Sequence, residues 1–472
     1  MKKFLFVLVL FFMSLCVNAT NPLNDFRNNP LLENATISLL VKSLTTWAVV
    51  CDYRSNNSVV PASTMKLVTT ATALEVLGAD FRFKTKLEII GKLGADGVLN
   101  GDLYIRGGGD PTLGSEKLGD SKFLDKWVEA VKGFGIRKIT GRIIADAGLF
   151  DNEGVNVKWS WEDIGNYYAA GVYGLAYCDN AYKLVLKTGA IGSVPQILRV
   201  VPEIPNLQID NQLKCAAITF DSAYFYGAPH SDYRSVTGLV PANRSEFITK
   251  GDIPNPGLLL AQHFKALLQE RGVPVGGTAS DIVDSNFPGE LVYTHESPPL
   301  SEIINEVNVH SNNHFAEHVF KYLGLQNVPV ASNKNAVQVI KTFWKSKGLS
   351  VNQLFQQDGS GLAESNAVSA SFFVELLTYM KMKSVNGDVF YNSLPVAGEN
   401  GTLKTFLLKT PLQGKVHAKS GTISRVKSYA GYVDVKGKSY AFAILVNNAN
   451  GTSKAVTQKI ESFLVQLFAS AK

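Results

Sequence analysis

The sequence predicts a mixed α/β protein of two or three domains, in which a β-rich middle third interrupts a more helical framework. Three observations carry this. Apolar residues recur at helical spacing in both flanks, after Ser63 and again from Leu258 to Glu270. Short strand-like runs separated by turn residues fill residues 84–250. The chain closes on two strand-like runs joined by Lys436-Gly437-Lys438, then an amphipathic stretch from about Ser453 to Phe468.

Residues 1–19 begin with Lys2 and Lys3, continue as an apolar run to Cys16, and end on Val17-Asn18-Ala19. That is the pattern of a cleaved secretory signal, and the run is too short for a comfortable membrane span; a retained anchor is the alternative. Bulky Leu15 before Cys16 argues against a lipidated cysteine. The expected location is the periplasm, with at most peripheral membrane association. Without Lys2 and Lys3 the formal charge falls from +6 to +4, and 46% apolar with 18% charged residues describes an ordinary globular chain. No basic run or RNA-type aromatic motif is present, so nucleic acid is not an expected partner. Cys51, Cys178 and Cys215 allow one disulfide at most, and no C-x-x-C suggests a zinc knuckle or a redox motif.

Residues 37–41 and 46–50 read as β-rich pieces leading to Pro61-Ala62-Ser63-Thr64-Met65-Lys66. Leu67, Thr70, Ala71, Leu74 and Leu77 then fall at helical spacing, with Gly78 as the stop. Ser63 therefore sits in a first helical turn, with Lys66 on the same face. A serine needs a base to become a nucleophile, and a lysine can be that base when burial or a second cation lowers its pKa. The helix start also offers free N–H groups to a developing anion. Strands follow at 83–90 and 103–106, a helix at 121–134, a strand at 141–146, and short strands across 195–250. Gly107-Gly108-Gly109 lacks a following Gly-Lys-Ser/Thr and reads as a turn. Two helical segments flank Ser311-Asn312-Asn313, a corner that presents a hydroxyl and an amide, and His417-Ala418-Lys419-Ser420-Gly421-Thr422 enters a strand.

S-x-x-K, S-x-N and K-S-G-T in this order resemble the three-motif set of penicillin-recognising serine acyl enzymes. The long gap between Lys66 and Ser311 is similar to that of the class C low-molecular-mass penicillin-binding proteins, the DacB-type D-Ala-D-Ala carboxypeptidase/endopeptidases. Gly108-Gly109-Asp110-Pro111-Thr112-Leu113, Asp358-Gly359-Ser360-Gly361-Leu362, Gly398 with Gly401-Thr402-Leu403, and Ala430-Gly431-Tyr432-Val433 look like that family too. Asn312 and Ser420 depart from it, where Asp and Thr are usual.

The resemblance implies a penicillin-binding/β-lactamase-like catalytic domain: an antiparallel sheet flanked by helices, from residues 20–83 and 251–472, with 84–250 as inserted β-rich material. It implies Ser63 as nucleophile, Lys66 as general base, Ser311 as proton relay, Asn313 as holder of the acyl-donor backbone and Lys419 as positive charge beside Ser311. Ser420, Gly421 and Thr422 line the place of the substrate's terminal carboxylate, and the Ser63 and Thr422 N–H groups form an oxyanion hole. Asp146 is the expected reader of the amine on the third stem residue, an exposed turn carboxylate being the alternative. Implied partners are peptidoglycan stem peptides and β-lactams as covalent inhibitors, with no cofactor or metal. A β-lactamase and a non-catalytic peptidoglycan-binding protein are the other readings.

Two local patterns are set aside. His314-Phe315-Ala316-Glu317-His318 is literally H-x-x-E-H, yet it overlaps the S-x-N corner and shows no third zinc ligand. Glu162 with Asn166 forms an E-x-x-x-N that precedes the S-x-N, the wrong order for a deacylating carboxylate.

Overall fold

A computed structural model describes residues 21–282, 288–326 and 328–469. The signal-like segment and Cys16 lie outside the described residues. Five antiparallel strands form the central sheet in the order Val49–Tyr53, Thr36–Ser43, Lys438–Asn447, Val426–Val435, Val416–Ile423. Side chains alternate across it as the strand period requires. Along Lys438–Asn447, Ala441, Ala443 and Leu445 enter one core, while Tyr440, Phe442, Ile444 and Val446 enter the other. The first core is filled by helices Lys66–Leu77, Leu300–His310, Asn313–Leu323, Asn333–Ser346 and Ala370–Met382. The second is covered by Pro22–Arg27 and the closing helix Ser453–Ala469.

Helix Lys66–Leu77 is buried around its whole circumference from Lys66 to Leu74, not on one face as the spacing predicts. Its threonines make that possible. Thr70 and Thr72 donate to the carbonyls of Lys66 and Val68, both at 2.7 Å, so their hydroxyls enter the core already paired. Gly78, at φ 88°, ends the helix with its N–H on Leu74 O.

The inserted part is built on a second sheet in the order Ala279–Ile282, Ile143–Asp146, Val98–Arg106, Lys84–Leu93, Glu290–Glu296, with Lys138–Ile139 beside Val98–Arg106. Helices Phe123–Gly133 and Pro256–Glu270 supply Trp127, Val131, Leu260, Phe264 and Leu268 to one core with smaller sheets from residues 181–252. The boundary expected at residue 251 is therefore corrected. Residues 256–282 and 290–296 pack with the insert, because Ala279–Ile282 pairs with Ile143–Asp146 and Glu290–Glu296 with Lys84–Leu93. An amphipathic helix such as 256–270 announces that it packs on something, not on what. The two crossings into the insert lie side by side: Phe83 N–H donates to Ser297 Oγ at 3.0 Å, and Ser297 N–H returns to Phe83 O at 3.0 Å.

Cys51, Cys178 and Cys215 are free thiols. In the insert, Arg234 is fully buried with its Nε 2.7 Å from Asp252 Oδ1, and its Nη1 donates to Ser231 O at 2.7 Å. Arg234→Met leaves Asp252 buried without its cation, so it should cost about 3–5 kcal/mol. Thermal melting with limited proteolysis across residues 181–252 checks this; an unchanged melt would show that Asp252 finds another partner.

Candidate active site

Ser63 lies in the tight turn Ala62–Met65 that opens directly into helix Lys66–Leu77, one turn earlier than a regular α-helical start. Ala62 holds a left-handed φ of 48°, a conformation that costs a non-glycine residue energy and is kept only where surroundings enforce it. Those surroundings are two glycines. A Cβ on Gly361 would stand 1.9 Å from Ala62 O, and one on Gly421 would stand 2.5 Å from Pro61 O and 3.0 Å from Ser63 N. Gly421 thus brings strand Val416–Ile423 against the Ser63 turn. Ser428, on the next strand, donates to Pro61 O and anchors the turn from the sheet side.

Lys66 is fully buried. Its Nζ donates to Ser63 Oγ at 3.1 Å, Asn313 Oδ1 at 2.7 Å and Ser360 O at 2.7 Å. Burial pushes its pKa down to about 7, against the pull of the Glu317 and Asp358 charges, which raise it. Helix Leu300–His310 ends at Ser311, itself left-handed at φ 58°. Asn312 caps helix Asn313–Leu323 by accepting the Phe315 N–H at 3.2 Å, a task Asn and Asp perform alike, which accounts for the departure from the usual Asp. Lys419 reaches across from the sheet edge, donating to Ser311 Oγ at 2.8 Å and Ser420 O at 2.9 Å. Burial, then repulsion from Lys66 and Lys427, holds its pKa well below the usual lysine value.

The structure thus gathers Ser63, Lys66, Ser311, Asn313 and Lys419, with Gly421 against the serine turn. Asn313 is engaged at both ends, since its Nδ2 donates to Tyr168 O of the insert at 2.9 Å. Ser420 Oγ donates to Thr402 Oγ1 at 3.0 Å, and Thr422 Oγ1 accepts from Lys427 at 2.8 Å. Asp146 does not join the cluster. It is buried in the insert, accepting from Arg106 Nη1 at 2.7 Å and Gly148 N–H at 2.9 Å, and Arg106 also donates to Glu88. Burial and this ion pair exclude the exposed turn carboxylate of the alternative.

Sequence reasoning missed the layer behind Lys66. Buried Glu317 accepts the N–H groups of Gly359 at 3.0 Å and Ser360 at 2.7 Å. Asp358 accepts from Gly361 N at 2.8 Å, Ala363 N at 2.6 Å, Asn366 Nδ2 at 2.8 Å and Trp159 Nε1 at 2.9 Å. Together they hold the loop that presents Ser360 O to Lys66. Glu317 was visible only inside the H-x-x-E-H pattern, and among the described residues no group of three or more His, Cys, Asp or Glu could hold a metal ion.

A buried lysine on a serine hydroxyl, faced by a second buried lysine on a second serine, is the arrangement of an active-serine hydrolase. The chain belongs to the D-Ala-D-Ala carboxypeptidase 3 (S13) family, whose model matches residues 19–471. It is 30% identical over 447 residues to a D-alanyl-D-alanine carboxypeptidase of Actinomadura sp. (strain R39), covering 91% of this chain and 81% of that one. Penicillin binding protein 4 (dacB) from Haemophilus influenzae has the same fold, with a TM-score of 0.83 at 22% identity over 96% of this chain and 99% of that one. A penicillin G acylated predatory endopeptidase from Bdellovibrio bacteriovorus aligns with a TM-score of 0.50 at 18% identity, covering 92% of this chain and 93% of that one.

Glu317→Gln keeps the shape but removes the charge and one of two acceptors, leaving an amide N–H of the 359–360 loop facing an NH2. We expect a loss of about 1–3 kcal/mol in stability. Burial, then the Asp358 charge, pushes the Glu317 carboxyl itself up to about 8, so it titrates together with Lys66; removing it should move the acid limb of kcat/KM to lower pH, because its ionised form raises the Lys66 pKa. A pH–rate profile checks the second point; an unmoved limb would mean that Glu317 serves the loop alone.

Proposed function

We propose that Ser63 carries out the D-Ala-D-Ala carboxypeptidase reaction of the family on peptidoglycan stem peptides. The observation that carries the reading is the 3.1 Å contact between Ser63 Oγ and a lysine whose burial brings its pKa down to about 7. Neutral Lys66 takes the hydroxyl proton and Ser63 attacks the carbonyl between the two terminal D-alanines. The Ser63 and Thr422 N–H groups hold the oxyanion, each such donor contributing about 3–4 kcal/mol of barrier lowering. Ser311, polarised by Lys419, passes a proton to the leaving amine. The departing D-alanine opens the side from which Lys66 and Ser311 serve the hydrolytic water.

Ser420 and Thr422 bind the terminal carboxylate. Asn313 orients Lys66 and ties it to the insert. A D-Ala cross-link to the next stem is a substrate of the same chemistry, in keeping with the endopeptidase neighbour. β-Lactams acylate Ser63, and their attached leaving group blocks the water's approach, so clearance is slow. We place the enzyme in the periplasm on the signal-like segment and the cell-wall substrate. No helix among the described residues is long and apolar enough to cross a membrane.

Mass spectrometry after penicillin treatment should show one adduct, on Ser63, persisting for minutes to hours while stem peptides turn over; Ser63→Ala should show none. Full labelling of Ser63→Ala, or continuous penicillin hydrolysis at many turnovers per second, would overturn the reading. Lys66→Arg should be nearly as inactive as Lys66→Ala, because a guanidinium cannot accept the proton.

A further inference from the structure

Strand Val416–Ile423 pairs with strand Val426–Val435 so that Thr422 stands opposite Lys427. Side chains directly opposite on such a pair share a face of the sheet. Lys427 Nζ donates to Thr422 Oγ1 at 2.8 Å and lies 5.1 Å from the centre of the Tyr429 ring. A lysine ammonium has three donors, and the threonine hydroxyl takes one. No carboxylate lies within ion-pair distance of Lys427 among the described residues. Glu461, whose charge acts on it from further away, is itself engaged by the Leu407 N–H at 2.7 Å. Lys419 is in the same position: its hydrogen bonds go to neutral oxygens, and Lys427 and Lys66 repel it. Two lysines with no carboxylate within ion-pair distance among the described residues thus bracket the edge that carries Ser420 and Thr422. Such an edge is complementary to an anion, and the Thr422 hydroxyl, receiving from Lys427, can turn its own proton outward.

We propose that Lys427 is a specificity-determining residue that completes, with Ser420 and Thr422, the seat of the substrate's terminal carboxylate; the inference rests on the carboxylate role given to those hydroxyls above. It acts in two ways. It fixes the Thr422 rotamer as a donor toward the substrate, and it contributes a positive charge one hydrogen bond behind that donor. Its task is recognition rather than proton transfer, so the effect belongs in KM. Nothing in the three short motifs shows it, because Lys427 enters through strand register, five positions beyond Thr422.

The test uses the full chain and two acylated tripeptides ending in D-Ala-D-Ala, one with a free carboxylate and one with a carboxamide. The wild type should favour the carboxylate. Lys427→Met should raise KM for the carboxylate peptide about tenfold or more, the usual scale for losing a hydrogen bond to a charged group, with kcat changed by less than about threefold. The carboxylate-over-amide preference should fall by the same factor. Lys427→Gln, which keeps a donor without the charge, should lose most of the preference, and Lys427→Arg should keep most of it. If Lys427→Met retains the wild-type preference, the proposal fails while the roles of Ser420 and Thr422 stand. If the wild type itself shows no preference, those roles fail and the proposal with them. Equal loss on both peptides in all three variants would reduce Lys427 to a structural prop and also overturn it.

Discussion

The structure depends on keeping one lysine dry. Lys66 has three donors, and Ser63, Asn313 and Ser360 accept them from three distant parts of the chain. Solvent excluded from the ammonium drives it toward the neutral form a base requires, while the Glu317 and Asp358 charges keep it from going too far. That balance explains why helix Lys66–Leu77 is buried on every side and why its buried threonines arrive already paired, Thr70 and Thr72 to their own helix and Thr69 to Gly359 O of the facing loop at 2.8 Å. It also explains the glycines of the facing loop. A Cβ on Gly359 would meet Phe320 Cβ at 2.4 Å and Ala316 O at 2.6 Å, so the loop lies flat on helix Asn313–Leu323, close enough for Glu317 to gather its N–H groups.

The insert is part of this arrangement even though the chain enters and leaves it at one point, Phe83 beside Ser297. Trp159 bonds to Asp358, Asn156 Nδ2 to Gln357 O at 2.8 Å, Tyr168 O to Asn313, and Lys321 to Glu153 O at 2.7 Å. The neutral bonds among these are each worth only about 1 kcal/mol net, and the two that involve Asp358 and Lys321 about 1.5–3 kcal/mol. Their placement matters more than their sum, because Asp358 and Asn313 both bear directly on Lys66. The insert therefore supplies the outer wall of the lysine's cage.

What the sequence made legible was local. Helical spacing after Ser63, the S-x-N corner, the closing hairpin and the final helix depend on neighbours a few residues apart, and the structure shows each of them. The order of the three motifs identified the family. What stayed hidden depends on contacts across long stretches of chain. Residues 279–282 and 290–296 carry no mark of the strands they pair with. Asp146 looks like a free carboxylate until Arg106 is placed beside it. Glu317 sits in a pattern that suggests zinc, and only the approach of the 358–361 loop shows that backbone N–H groups are its partners. Lys427 becomes visible through the register of two strands.

The two buried lysines also constrain one another. Each charge raises the free energy of the other, and Lys419, unlike Lys66, has no carboxylate pulling its proton back. In the free enzyme the cost of holding both charges in a dry site therefore falls mainly on Lys419. An anion seated at Ser420 and Thr422, the role proposed for them above, would shift this balance. It stabilises the charged form of Lys419, and charged Lys419 by repulsion favours the neutral form of Lys66. By linkage, a carboxylate that binds more tightly when Lys419 is charged favours that charged form, and it acts on Lys66 in two opposed senses: directly by attracting its proton, and through Lys419 by repelling it. Recognition of the carboxy terminus at this edge therefore belongs first to binding, while the readiness of Lys66 to accept a proton is set by its own dry cage.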